Sequence, residues 1–174
     1  MDDIEPQPRP RKITVLAFGE GEAEKIFLRH LVALYRRKGL VHVATSCAGG
    51  GTLRSIFNQM IQFRRGEKRD HEFIFLDTDL GWDDETVRSA HEEEVELVGN
   101  DPCLEAFFLE ILEEPIPHGS GSGKHKDRFR ALCRERDFNE DECERLFTKS
   151  VLNEARKRIP KLDTMIKRIE GDLT

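Results

Sequence analysis

Apolar positions follow two alternating patterns over roughly the first 113 residues. Short, nearly continuous apolar runs are typical of strands buried on both faces of a sheet, and apolar residues recurring every three or four positions are typical of helices. The apolar runs lie at 13–18, 41–46, 73–76 and 95–98, and the helical patterns lie at 23–37, 52–63, 84–92 and 102–112. This alternation predicts an α/β fold with a mainly parallel four-stranded sheet and helices on both faces.

The pattern changes after residue 113, where prolines and a Gly/Ser run interrupt it and short helical patterns follow. We therefore expect a C-terminal helical extension packed on the α/β core. The expected divisions are a flexible arm at 1–11, the core at 12–114, a Gly/Ser-rich loop at 115–126 and the basic helical extension at 127–174. Pro160 is expected to break the helices of the extension.

Composition excludes several classes of protein. No stretch of the 174 residues approaches the ~20 consecutive apolar residues that span a bilayer, so we expect no membrane segment. The first twelve residues contain no apolar run, and the 4 cysteines form no C-x-x-C pair, which predicts a reducing, cytoplasmic environment. A net charge of -6 argues against coating DNA by charge alone, but it leaves a nucleic-acid enzyme open.

Charges are segregated along the chain. Residues 77–114 carry fourteen acids and one base, whereas residues 124–168 carry fourteen bases and nine acids. An acidic group facing a basic C-terminal third would suit a bound cation and an anionic substrate. Ordinary solvated helix faces are the alternative, and for Glu92–Glu94 that alternative is favoured.

Acidic residues and a glycine turn follow the predicted strands. In parallel α/β folds, functional residues collect at the carboxyl ends of the strands. Those ends carry Glu20, the Gly49–Gly51 turn, Asp77 with Asp79, and Asp101. If the chain stays extended, Asp77 and Asp79 point to the same side and can hold a hard divalent cation between them.

Each of these features also has a simpler reading. Asp is common in turns, and acids favour helix N-termini, which is explanation enough for Glu22. The preference of acids for helix N-termini explains Glu20 and Glu24 together less well, because like charges repel unless a cation neutralises them. The turn of Gly49, Gly50 and Gly51 lacks the Gly-Lys-Ser/Thr of a P-loop, so we interpret it as a sharp βα turn with phosphate contact as an added role.

Three segments, in the same order as in the family, resemble TOPRIM domains of the OLD and RloB-like families. Residues 19–25 resemble the E-G-x-T-E segment that opens those domains, and residues 73–79 resemble their apolar strand ending in D-x-D. Residues 100–109 resemble the S-N-P-C-F-E-x-W-L-L segment of RloB-like proteins, which makes that family the best match. The departures are Ala23 for Thr, Asn100 for Ser, Leu104 for Phe and Phe107 for Trp.

The resemblance implies a TOPRIM (Rossmann-like) catalytic domain that depends on Mg²⁺ or Mn²⁺. It makes Glu20, Asp77 and Asp79 the acidic triad and Glu24 the second acid of the opening segment. Glu105 matches the acid of the third segment, and Asp101 stands where the family has Asn. Such a metal would polarise a phosphodiester and lower the pKa of a bound water. A second ion, on Glu24 with Asp101 or Glu105, is left open.

Two lysines after the Gly/Ser run are candidate catalytic cations. Lys124 and Lys126 could close over the acids and neutralise charge on a phosphate, and a solvated basic helix start is an equally open reading.

The expected function is a metal-dependent TOPRIM nuclease that cleaves DNA or RNA in prokaryotic phage defence. The alternative is a TOPRIM effector or regulatory subunit that is active only with an ATPase partner. A catalytically dead fold is a third reading, which the intact acidic set disfavours. A homo-oligomer is left open.

Overall fold

A computed structural model of the protein describes residues 10–116, 118 and 121–172. Its one sheet has four parallel strands in the order β2-β1-β3-β4. The strands are β1 (Ile13–Gly19), β2 (Val41–Cys47), β3 (His71–Asp77) and β4 (Val95–Asn100). The predicted parallel four-stranded α/β fold is therefore confirmed.

Eight α-helices lie in the described ranges. They are α1 (Glu22–Tyr35), α2 (Leu53–Phe63), α3 (Asp84–Glu92), α4 (Leu104–Ile111), α5 (Ser122–Arg130), α6 (Glu140–Leu146), α7 (Lys149–Ala155) and α8 (Pro160–Glu170). Side chains that accept a backbone N–H at the helix start help to set where several of them begin, as Thr52 does for α2 and Asp83 for α3. Pro160 stands in the first turn of α8, where its missing N–H costs nothing.

Alternate side chains of the strands enter two different apolar clusters. Val15, Ala17 and Phe75 point into the larger cluster, which α1 and α4–α8 cover. Leu16 and Ile74 point into the smaller cluster, which α2 and α3 cover. The helices therefore lie on both faces of the sheet, as predicted, and the C-terminal helices complete the larger cluster.

Several boundaries differ from the sequence prediction, and α4 begins at Leu104 and not at Pro102. β3 begins at His71, two residues before the apolar run, because His71 already pairs with Val15 of β1. The buried Glu72 carboxylate in this segment accepts a hydrogen bond from Arg64 at 2.8 Å. α5 begins at Ser122, inside the segment expected to be a loop at 115–126. His125 and Phe129 lie one helical turn apart and are both buried, so packing holds that turn.

Some expectations fall where the structure gives no description. Most of the expected arm at 1–11 lies outside the described residues, as do residues 117, 119 and 120 of the expected loop. The four cysteines are free. Among the described helices, none combines the length and the apolar character needed to cross a membrane.

Candidate metal centre

Glu20 and Asp77 meet where two neighbouring strands end. Glu20 directly follows β1, and Asp77 is the last residue of β3, which pairs with β1. The Glu20 N–H donates to the Phe75 carbonyl at 3.0 Å, and the Asp77 N–H donates to Glu20 Oε2 at 2.9 Å. The strand pairing therefore brings together two carboxylates that are far apart in the sequence.

Glu24 reaches the same place from the first turn of α1. Its Oε2 accepts a hydrogen bond from the Gly21 N–H at 3.0 Å, which folds the side chain back over the start of the helix. Glu20, Glu24 and Asp77 each offer a carboxylate oxygen, and these oxygens lie within 4.8 Å of one another. We call these three residues the acid cluster; Glu24 and Asp77 are buried, and Glu20 is partly exposed.

Burial and repulsion by neighbouring carboxylates raise the pKa of every member of the acid cluster. Burial, followed by the charges of Glu20 and Glu24, raises the pKa of Asp77 to about 8. Burial is also the main cause that raises the pKa of Glu24 to about 7 and the pKa of Glu20 above its usual value. Near neutral pH the cluster thus retains protons that a bound cation would displace.

Asn100 places a buried amide next to Asp77. It is fully buried at the end of β4, and its Nδ2 donates to Asp77 Oδ1 at 3.4 Å. Its Oδ1 is buried and has no hydrogen-bond partner in the described part of the chain. Carboxylate oxygens are among the ligands that Mg²⁺ and Mn²⁺ prefer, so the three oxygens of the acid cluster fit such an ion.

Asp79 does not join Asp77 as an extended D-x-D would require. The chain turns into a 3₁₀ helix at Thr78–Leu80, so the extended segment on which that arrangement depends is not formed, and a metal or catalytic role for Asp79 stays a prediction. The Asp79 carboxylate instead accepts a hydrogen bond from the Ser122 hydroxyl at the start of α5. It remains near enough for its charge to raise the pKa of Glu20 and of Asp77.

Asp101 and Glu105 lie around the acid cluster and are not among its three members. Asp101 Oδ1 is 3.2 Å from the Thr78 hydroxyl. Glu105 stands in the first turn of α4, and its charge raises the pKa of Glu20, Glu24 and Asp77. A second metal ion on these acids stays a prediction.

The glycine turn after β2 contacts Glu20 through the backbone. The Gly50 N–H donates to the Glu20 carbonyl at 3.1 Å, so this N–H already has a partner. Gly50 and Gly51 have φ of 83° and 120°, a region that glycine enters without strain. Gly49 lies in the same turn before α2. The turn therefore positions Glu20, and a phosphate contact there stays a prediction.

Two basic side chains of the C-terminal helices, Lys126 and Lys161, lie near the site, and a catalytic role for Lys124 stays a prediction. Lys126 on α5 is exposed, and its charge lowers the pKa of Glu20. Lys124 is exposed on the same helix. Lys161, which sequence reasoning missed, donates to the Gly99 carbonyl at 3.2 Å and lies 4.6 Å from the centre of the Phe107 ring. No local sequence signal marks Lys161, because only the packing of α8 brings it here.

Fold and site together define an α/β protein with an acid cluster at the carboxyl edge of a parallel sheet. Comparison with protein-family models, with curated proteins and with solved structures finds no match to this chain. Its function is therefore inferred from the residues and geometry of the site.

Proposed function

We propose that the protein is a Mg²⁺- or Mn²⁺-dependent phosphodiesterase that cleaves DNA or RNA. The observation that carries this proposal is the approach of the Glu20, Glu24 and Asp77 oxygens to within 4.8 Å at the edge of the sheet where α/β enzymes act. The resemblance of three segments to RloB-like TOPRIM domains supports it. With that resemblance goes the proposal of a cytoplasmic role in phage defence.

The acid cluster would hold the metal, and the surrounding residues would hold the acid cluster. When bound, a divalent ion supplies charge that polarises a phosphodiester and lowers the pKa of a water. The Asp77 N–H fixes one Glu20 oxygen, and the Asn100 amide orients the Asp77 carboxylate. These contacts hold the ligand oxygens in place before the ion arrives, which limits the reorganisation that binding requires.

Lys126 would act on the substrate and not on the metal. Its exposed ammonium lies close enough to lower the pKa of Glu20, so it shares the field of the acid cluster. A phosphate between this cation and a bound metal would have its negative charge neutralised from two sides. The proposed order of contacts is therefore acid cluster, metal, phosphate and Lys126.

The proposal is tested with purified protein on plasmid DNA, single-stranded DNA and tRNA, each with Mg²⁺, Mn²⁺ or EDTA. We expect cleavage of at least one substrate with metal and none in EDTA. Asp77→Asn keeps the shape of the side chain but removes its charge, and we expect it to lower the cleavage rate by about 100-fold or more. Glu92→Gln, an exposed acid at the end of α3, is the matched control and should cleave as the parent does.

Two results would overturn the proposal. One is cleavage that continues in EDTA, and the other is an undiminished rate in Asp77→Asn. Inactivity on every substrate, followed by activity when an ATPase from a neighbouring gene is added, would replace it with the effector-subunit alternative.

A further inference from the structure

A half-open cavity adjoins the acid cluster on the side of the C-terminal helices. It lies between α4, α5 and the segment at 133–138, and its volume is about 140 Å³. Glu105 and Lys126 line it, and both act electrostatically on the acid cluster. A ligand in this cavity would therefore lie beside the proposed scissile phosphate.

The floor of the cavity is aromatic. Phe108, Phe129 and Phe138 line it, and only Phe138 among them is partly exposed. The Phe138 ring centre lies 5.1 Å from that of Phe108 and 5.7 Å from that of Phe129. The neighbouring rings thus hold the Phe138 ring in place and leave part of it open to a flat, apolar group.

The rim of the cavity carries three exposed cations, Lys126, Arg130 and Arg136. Within the described ranges, none of the three forms an ion pair or a side-chain hydrogen bond. Nearby arginines do pair: Arg128 lies 2.6 Å from Glu114, and Arg145 donates to Glu142 at 3.0 Å.

Exposed cations without an ion pair also occur elsewhere in the described ranges, as at Arg88, so the distinguishing feature of the rim is that three of them gather beside an aromatic floor. Two acids, Glu105 and Asp137, also line the cavity, so the cations exceed the acids there by one. Since Glu105 acts on the acid cluster, a bound metal would offset its charge and leave the rim more positive. This electrostatic balance suits a ligand with negative charge at the rim and an apolar, planar part on the floor.

We propose that this cavity binds one unpaired nucleotide of a single-stranded nucleic acid, with the base on Phe138 and the adjacent phosphate among Lys126, Arg130 and Arg136. This inference rests on the proposed function, because it names the form of substrate that the acid cluster receives. A base within a duplex is stacked and paired, whereas a single-stranded base is free to enter the cavity. Base–aromatic stacking contributes about 1–3 kcal/mol and accepts every base, so the site selects strand form and not sequence.

The test is fluorescence anisotropy with short labelled oligothymidylate, oligouridylate and a DNA duplex, all in EDTA so that metal-dependent cleavage cannot occur. We expect both single strands to bind at least about tenfold more tightly than the duplex. The double variant Arg130→Gln/Arg136→Gln should weaken single-strand binding by about tenfold or more. It should also lower the slope of log affinity against log salt by about 0.7, the contribution of the one phosphate that the cavity holds.

The matched control is Arg88→Gln/Arg134→Gln, which removes the same charge from exposed arginines that do not line the cavity and that form no ion pair within the described ranges. It should bind as the parent does. Phe138→Leu keeps an apolar side chain but removes the ring, and it should weaken both single strands without changing the salt slope.

Three outcomes would overturn the cavity assignment: equal affinity for duplex and single strand, equal losses in the two double variants, or unchanged binding in Phe138→Leu. The proposed function fails separately. Loss of binding in Arg130→Gln/Arg136→Gln with no metal-dependent cleavage by the parent would leave the cavity assigned and the nuclease refuted. Metal-dependent cleavage by the parent, with unchanged binding in that variant, would support the nuclease and refute the cavity assignment.

Discussion

Asp77 is buried beside two other carboxylates, and this position sets its chemistry. Burial disfavours its charged form, and the charges of Glu20 and Glu24 disfavour it further, which raises its pKa to about 8. Free of any ion, the folded protein must keep protons on the acid cluster or bear the repulsion. A divalent cation would remove this conflict, so the proposed metal binding would be coupled to stability and to proton binding at these residues.

The first prediction at this scale is that, in EDTA, the free energy of unfolding falls as pH rises from about 5 to about 9. Asp77 and Glu24 have pKa values of about 8 and about 7 in the folded protein, against ordinary values of 3.8 and 4.5. The folded state thus binds more protons than the unfolded state across this window, and raising pH favours unfolding. One pKa unit corresponds to about 1.4 kcal/mol, and we expect a loss of at least ~2 kcal/mol.

Urea unfolding at three pH values in this range, with EDTA or with Mn²⁺, measures the effect. Mn²⁺ should restore most of the stability that is lost at the alkaline end of this range, because the bound ion neutralises carboxylates that have lost their protons. Asp77→Asn should flatten the pH dependence in EDTA and abolish the gain from Mn²⁺. A free energy of unfolding that does not change with pH in EDTA would show that the pKa values of the acid cluster are not raised in the folded protein.

At the scale of elements, the junction of β1 and α1 sets the position of Glu24. Gly19 ends the strand, and a Cβ at this residue would lie 2.7 Å from Glu24 Cβ and 3.1 Å from the Lys25 nitrogen. Real Cβ atoms essentially never approach as closely as the first of these distances. The absence of a side chain at Gly19 is therefore what lets the start of α1 bring Glu24 against the strand ends.

The second prediction is that Gly19→Ala destabilises the fold and weakens the metal site together. The added methyl group must push the first turn of α1 outward, at a cost of about 1–3 kcal/mol, and Glu24 moves with it. We expect Mn²⁺ affinity, measured by titration calorimetry, to fall by about tenfold or more. Gly49→Ala is the control, since its Cβ would meet nothing within 4 Å. If Gly19→Ala binds Mn²⁺ with the affinity of the parent, Glu24 does not contribute to metal binding.

Elements also show how far the sequence predicts the site. Glu20 and Asp77 could be placed because strand ends in a parallel sheet share one edge, and Glu24 because it lies one helical turn beyond Glu20. The position of Asp79 could not, since the 3₁₀ turn after Asp77 leaves no mark in the apolar pattern. Ser122 and Lys161 reach the site through the packing of α5 and α8, which depends on the whole core and not on local spacing.

At the scale of the whole molecule, basic side chains of the C-terminal third contact the acidic segment at 77–114 through backbone carbonyls as well as through ion pairs. Arg158, between α7 and α8, donates to the carbonyls of Glu110 and Ile111, both at 2.8 Å, at the end of α4. A cation there complements the negative end of the α4 dipole. Lys161 similarly donates to the Gly99 carbonyl near the acid cluster. The C-terminal helices therefore complete the core and the electrostatic surroundings of the site.

The third prediction follows from this shared core. A substitution that destabilises the packing of α8 should destabilise the acidic edge, the strand ends that carry the acid cluster, by the same amount. Met165 on α8 is fully buried in the larger apolar cluster, and Met165→Ala should cost about 2–5 kcal/mol, or roughly 5–15 °C in Tm. The single tryptophan, Trp82, donates to the Asp77 carbonyl at 3.1 Å, so its fluorescence reports on the distant acidic edge.

Circular dichroism and Trp82 fluorescence should shift together in Met165→Ala, because one cooperative unit gives coincident transitions. Leu40→Ala, at a side chain that is 50% exposed, should leave both midpoints nearly unchanged. If the circular dichroism midpoint of Met165→Ala falls while its Trp82 fluorescence midpoint stays at the parental value, residues 127–174 unfold separately from the α/β core. In that case α8 could not hold Lys161 against the site, and the site would depend on the core alone.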